Sequence, residues 1–247
     1  MAEVVTGAAA FVLVHGAWHG GWCWRRVAQR LRAAGCEVHT PTLTGLGDRA
    51  HLLSPQVGLS THIDDVVRLI DIEGADDVIL VGHSYAGLVI SGVADQRPKN
   101  VRLRVYLDAF LPRDGDSGID LLPGHVAEHY RESVAGPGLG WLIPPRSLEM
   151  LGVTDPDDLA WLSPRLTPHP WRTYTDPIRL TGDAVPGAFV ECVDWMRVFT
   201  PYAERAQAGG FDVRTIPTGH EAMVTAPDRL AEILLDLAGI RPDPRRA

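Results

Sequence analysis

The chain is poor in cysteine, in lysine and in long apolar runs. Its three cysteines, Cys23, Cys36 and Cys192, are too few and too scattered for a disulfide framework or a zinc site. Lysine is reduced to Lys99, so arginine supplies nearly all positive charge. Acidic residues outnumber basic ones 31 to 23, for a formal net charge of −8. A nucleic-acid-binding face needs the opposite balance, which excludes that partner class. No run of about 18 apolar residues is present, so no membrane partner is expected. The N-terminus also lacks the basic start and long apolar stretch of a secretory signal. Its first apolar run, Ala8 to Val14, leads straight into the glycine-rich loop His15–Trp22. The expectation is a cytoplasmic chain that acts on a small-molecule substrate; a homodimer is compatible with it.

What is present is a sequence able to build a full core. Of its 247 residues 45% are hydrophobic and 22% charged, and no linker or internal repeat divides it. Short β-branched runs alternate with helix-period segments, the rhythm of parallel βαβ units. Strands are expected at Phe11–Val14, Glu37–Leu43, Val78–Val81, Val101–Leu107, Ala188–Val193 and Phe211–Ile216. A helix capped at Thr61 is expected to present Ile63, Val66, Val67 and Ile70 to the core. The last helix has Pro227 placed for its first turn. Between Leu111 and Pro186 the rhythm stops, and so long a departure reads as an inserted lid. Residues 1–110 and 187–247 then form the core, and 111–186 the lid.

Gly82-His-Ser-Tyr-Ala-Gly87 lies directly between an apolar run and a helical stretch. A serine hydroxyl becomes a useful nucleophile when it is exposed, held and paired with a base. A tight strand-to-helix turn exposes it and demands small neighbours, which Gly82, Ala86 and Gly87 provide. Ala86 stands where the G-x-S-x-G pattern has its second glycine. On this architecture the serine comes first and the histidine last. His220, in Pro217-Thr-Gly-His-Glu221, follows the last strand and precedes the last helix, a place no other histidine holds. His83 is expected to pack beneath the turn, and His125, His129 and His169 to be solvent-exposed in the lid. No metal-ligand spacing appears among the ten histidines, so no metal is expected. The oxyanion formed on attack needs two backbone N–H groups. Tyr85, after the nucleophile, and Ala17, in the glycine-rich loop, are the candidates. That loop has neither G-x-G-x-x-G nor GK[ST] spacing, which argues against a phosphate cradle.

His15-Gly-Ala-Trp-His-Gly-Gly-Trp-Cys-Trp24, Val78-Ile-Leu-Val-Gly-His-Ser84 and Ala109-Phe-Leu-Pro112 resemble the plant methylesterase and hydroxynitrile lyase branch of the α/β-hydrolases. The similarity runs nearly end to end, including Asp155-Pro-Asp-Asp-Leu-Ala160. It implies an α/β-hydrolase fold with about six mostly parallel strands, a helical lid and no cofactor. Lyase members of that branch carry a threonine just after the loop histidine and a lysine just after the catalytic one. Here those places hold Gly16 and Glu221, which disfavours cyanohydrin chemistry.

The triad acid is the open member. The aspartate position of that branch falls on Met196, with Asp194 two residues earlier and Glu191 within the strand. Asp108 ends an otherwise apolar strand, where an unpaired carboxylate is costly. Its segment also resembles the haloalkane dehalogenase branch, some members of which carry their acid there. Asp108 is therefore the expected acid and Asp194 the alternative. Trp18, with Trp141, Trp161 and Trp171 of the lid, is the candidate pocket, joined by Tyr130. The expected reaction is cleavage of a carboxylic ester or lactone of a small apolar or aromatic substrate through an acyl-enzyme. The alternatives are C–C hydrolysis, a lactonase or cyclase step, and a small-ligand binding protein with weak turnover.

Overall fold

The computed structural model describes residues 9–182 and 185–241. Residues 1–8 and 242–247 of the expected core, and 183–184 of the expected lid, lie outside them. Six strands form one parallel sheet: β1 (Ala10–Val14), β2 (Glu37–His39), β3 (Val78–His83), β4 (Val101–Leu107), β7 (Gly187–Cys192) and β8 (Asp212–Ile216). Their spatial order is β2-β1-β3-β4-β7-β8. β1 and β3 are buried along their whole length, as suits largely apolar strands covered on both faces. The expected second strand is shorter than its apolar pattern: Thr40–Leu43 leave the ladder, and the Leu43 N–H donates to His15 Nε2.

Helices α1 (Arg25–Ala33), α2 (Leu59–Glu73), α3 (Ala86–Gln96), α7 (Thr200–Ala208) and α9 (Pro227–Leu237) flank the sheet, with the single turn α8 (Ala222–Thr225) before the last. α1 packs on α9 and α2 on α3. α2 starts two residues earlier than its capping signal suggests. Thr61 is its third residue, and the Thr61 hydroxyl accepts the Gly58 N–H. Gly74, at φ +61°, ends it in the left-handed conformation that favours glycine.

Between β4 and β7 the chain leaves the sheet. It forms α4 (Gly124–Ala135), α5 (Pro156–Leu162) and α6 (Arg172–Thr175), with an antiparallel pair, β5 (Leu142–Ile143) and β6 (His169–Pro170). α5 begins where its sequence says it should. Asp155 accepts the N–H groups of Asp157 and Asp158 at 2.9 and 3.0 Å, and Pro156 fills the first position.

The strand order places the site. β1 leads outward to β2 and β3 outward to β4, so the loops leaving β1 and β3 diverge. In open parallel sheets the crevice at such a switch point, beyond the carboxyl ends of the strands, is where ligands bind. Here those two loops are His15–Trp22 and the turn at Ser84.

Candidate active site

Ser84 sits at the tip of the turn between β3 and α3 with φ +56°, strained for a residue with a side chain. The strain is held from both sides. Its N–H donates to the Leu107 carbonyl at 3.2 Å, and its carbonyl accepts the N–H groups of Gly87 and Phe110. Glycine is needed at 87, because a Cβ there would lie 1.9 Å from the Phe110 oxygen. Helix α3 can therefore approach the end of β4 only without a side chain.

Asp108, at the end of β4, is fully buried and has φ +43°. Its Oδ2 lies 2.7 Å from His220 Nδ1, and its Oδ1 accepts the Cys192 N–H at 3.3 Å. Burial pushes the carboxyl above its usual range, opposed by the imidazole and by that N–H. The Nδ1 contact leaves Nε2 as the His220 nitrogen free to take a proton. The ring is further held by stacking on Phe199, by Trp195 at 4.5 Å and by His83 at 4.4 Å between centroids. His83 Nε2–H donates to the His220 carbonyl, and burial holds the His83 pKa well down. Ser84 and His220 border one partly open cavity.

Asp194 is placed elsewhere. It is exposed on the turn after β7, its N–H bonded to the Thr218 carbonyl, and it borders a separate surface hollow. Glu191 is committed to Arg197 and Thr200. Met196 is at the cavity wall but carries no acid.

The glycine-rich loop lies against the serine turn. A Cβ on Gly16 would be 2.9 Å from His83 Nδ1 and 3.0 Å from the Ser84 Cβ. Three imidazoles hold this loop. His15 Nδ1–H donates to the Gly16 carbonyl at 2.8 Å, and His19 Nδ1 lies 2.7 Å from the Ala17 carbonyl. His169 Nδ1 accepts the Trp18 N–H at 3.4 Å. Trp18 itself has φ +67°, and its Nε1–H donates to the Ile143 carbonyl at 3.1 Å. Among the described residues the N–H groups of Ala17 and Tyr85 have no hydrogen-bond partner. His19 Nε2 faces Glu221 at 3.3 Å, both fully buried.

The structure corrects expectations about four side chains. His169 is fully buried, not exposed; it bonds Thr173 and packs on Tyr85, 4.7 Å between rings. Of the four expected pocket tryptophans, Trp18 alone borders the cavity. Trp161 packs instead on Trp22 at 5.3 Å, between the guanidinium groups of Arg26 and Arg165. Trp141 and Trp171 join the short antiparallel pair, the Trp171 N–H donating to the Trp141 carbonyl. The cavity is walled by Tyr130, as expected, and by Phe110, Tyr174, Trp195 and Phe199, which no local pattern marks out.

One group near the site could converge on a cation: His83, His220 and Glu221 bring one ligand atom each within 4.8 Å. A cation there would either displace the Asp108 contact or occupy the free nitrogen of His220. The three cysteines are free and buried. Among the described residues no helix is long and apolar enough to cross a membrane.

Comparison with known proteins agrees with this geometry. The chain is 43% identical to a carbendazim-hydrolysing esterase of Nocardioides sp. (strain SG-4G), over 93% of its own length and 99% of the relative's. It is 28% identical to methylesterase 7 of Arabidopsis thaliana, covering 92% and 95% of the two chains. An extracellular alpha/beta-hydrolase from a Paenibacillus species superposes with a TM-score of 0.83 at 24% identity, over 93% of this chain and 98% of that one. Residues 11–233 match the profile of the alpha/beta hydrolase family, and the chain belongs to that family.

Proposed function

We propose that the chain hydrolyses the carboxylic ester of a small, largely apolar or aromatic substrate through an acyl-enzyme. Ser84 is the nucleophile, His220 its base and Asp108 the acid that orients and stabilises the imidazolium. The N–H groups of Ala17 and Tyr85 receive the oxyanion. His220 Nε2 takes the Ser84 proton as Oγ adds to the ester carbonyl, then returns it to the departing alkoxide. Water, deprotonated by the same nitrogen, releases the acid. The segment 111–186 acts as the lid that closes an apolar wall over the acyl or aryl group.

The observation that carries this reading is the 2.7 Å contact between buried Asp108 and His220, beside a cavity that also exposes Ser84. An esterase as a relative over nearly the whole chain supports ester cleavage. Cyanohydrin chemistry is disfavoured on the same geometry, since a threonine side chain has no room at Gly16. The test is a panel of nitrophenyl and methyl aryl esters, assayed with wild type and Ser84→Ala. Wild type should hydrolyse at least part of the panel, and the variant should lose roughly four orders of magnitude or more in kcat. Equal and slow hydrolysis by both proteins would refute the esterase reading.

A further inference from the structure

Among the described residues Arg146 is the one charged side chain in the cavity wall that the acyl-transfer chemistry leaves unused. It lies in the segment after β5 and borders the same cavity as Ser84 and His220. Its guanidinium carbon stands 5.8 Å from the centre of the Tyr130 ring, which is itself buried against that cavity. Many arginines of this acid-rich chain sit on carboxylates, such as Arg26 on Asp158, Arg49 on Asp65 and Arg97 on Asp71, while others, Arg32 and Arg104 among them, bond backbone carbonyls instead. Arg146 pairs with no carboxylate among the described residues. The rest of the wall is aromatic or aliphatic apart from the catalytic pair and the hydroxyls of Tyr130 and Tyr174.

We infer that the substrate carries a carboxylate in addition to the scissile ester, and that Arg146 binds it. This rests on the ester-hydrolase reading and narrows it. A guanidinium offers a planar fork of donors that matches a carboxylate, and it keeps its charge at any relevant pH. In an apolar wall such a charge-assisted bond is stronger than in bulk water. The placement also orders the two ends of the substrate. The ester meets Ser84 at the carboxyl end of β3 while the carboxylate faces the segment between β5 and α5. A neutral substrate would leave the guanidinium to be solvated in a cavity otherwise shaped for apolar groups.

Two esters of one shape separate charge from fit: monomethyl terephthalate, and methyl 4-nitrobenzoate, whose planar nitro group is a neutral stand-in for the carboxylate. Their kcat/KM ratio is measured for wild type, Arg146→Gln and Arg146→Lys. The glutamine variant should lower the ratio, anionic over neutral, by about tenfold or more. The lysine variant should recover part of it. Poorly folded protein would depress both esters alike and leave the ratio unmoved. A ratio that shifts by less than about threefold overturns the assignment and reduces Arg146 to a cover for the Tyr130 ring. Should wild type cleave neither ester, the ester-hydrolase reading is decided separately by the wider ester panel with Ser84→Ala. Calorimetric binding of both compounds to Ser84→Ala, with and without Arg146→Gln, then decides the role of Arg146. Loss of preference for the anion supports it; an unchanged preference overturns it.

Discussion

Ser84, Asp108 and Trp18 share a backbone conformation that side chains avoid, with φ values of +56°, +43° and +67°. Each such residue costs on the order of 1–3 kcal/mol and survives where its surroundings over-determine it. Ser84 and Trp18 border the cavity and Asp108 stands behind His220, so the fold has traded stability for aim at this site. The residue-scale consequence concerns the acid. Asn at 108 would keep the shape but present an amide to His220 Nδ1, which favours the wrong tautomer. Asp108→Asn should lower kcat by roughly 10⁴-fold, while Asp194→Asn, altered at an exposed turn, should change it little. Steady-state kinetics with a circular-dichroism check of folding decides between them, and the reverse pattern would move the acid to the turn after β7. Asp108 was legible in the sequence because a carboxylate ending an apolar strand is conspicuous. The pocket was not. Trp195, Tyr174 and Arg146 come from distant stretches of chain, and only the fold brings them to one wall.

At the scale of elements, the loop after β1 and the turn after β3 work as one unit. Gly16 sits between them with no space for a methyl group, so the Ala17 N–H and the Ser84 hydroxyl keep a fixed separation. Gly16→Ala should push the loop off the turn, lowering kcat by about tenfold or more with a smaller change in KM. That is the signature of support lost mainly in the transition state. Single-turnover acylation with a nitrophenyl ester would show it, and a change confined to KM would argue against this role for the loop. The short motifs that set these elements were readable because they are local: apolar run, small residues, helix. The hold on the loop was not. His15 and His19 inside the loop and His169 from far along the chain hold it through ring nitrogens, and a histidine's burial has no sequence period of its own.

For the whole molecule, these buried imidazoles set a pH limit. Burial lowers the pKa of His15 to about 3 and that of His62, a buried residue of α2 bonded to the Tyr85 hydroxyl, to about 4, and holds His83 and His169 well below 6.5. Unfolding returns each to about 6.5, so below that pH the unfolded chain binds more protons than the folded one. Stability is then complete above pH 6.5 and is lost as the pH falls towards 4, at about 1.4 kcal/mol per unit for each group. Asp108, raised by burial, acts in the opposite sense but is a single group. The urea midpoint should therefore drop steeply between pH 6.5 and 4. A midpoint that stays level down to pH 5 would mean that these rings titrate without unfolding.

The two ends of a parallel sheet's strands are unlike. Everything described as catalytic lies past the carboxyl ends of the strands, while Lys99 is exposed on the turn that enters β4 at the opposite, amino end. The chain therefore offers amine-directed reagents one side-chain handle, on its blind side. Tethered to a surface through Lys99, a layer of this protein would present its cavity outward, in a common orientation.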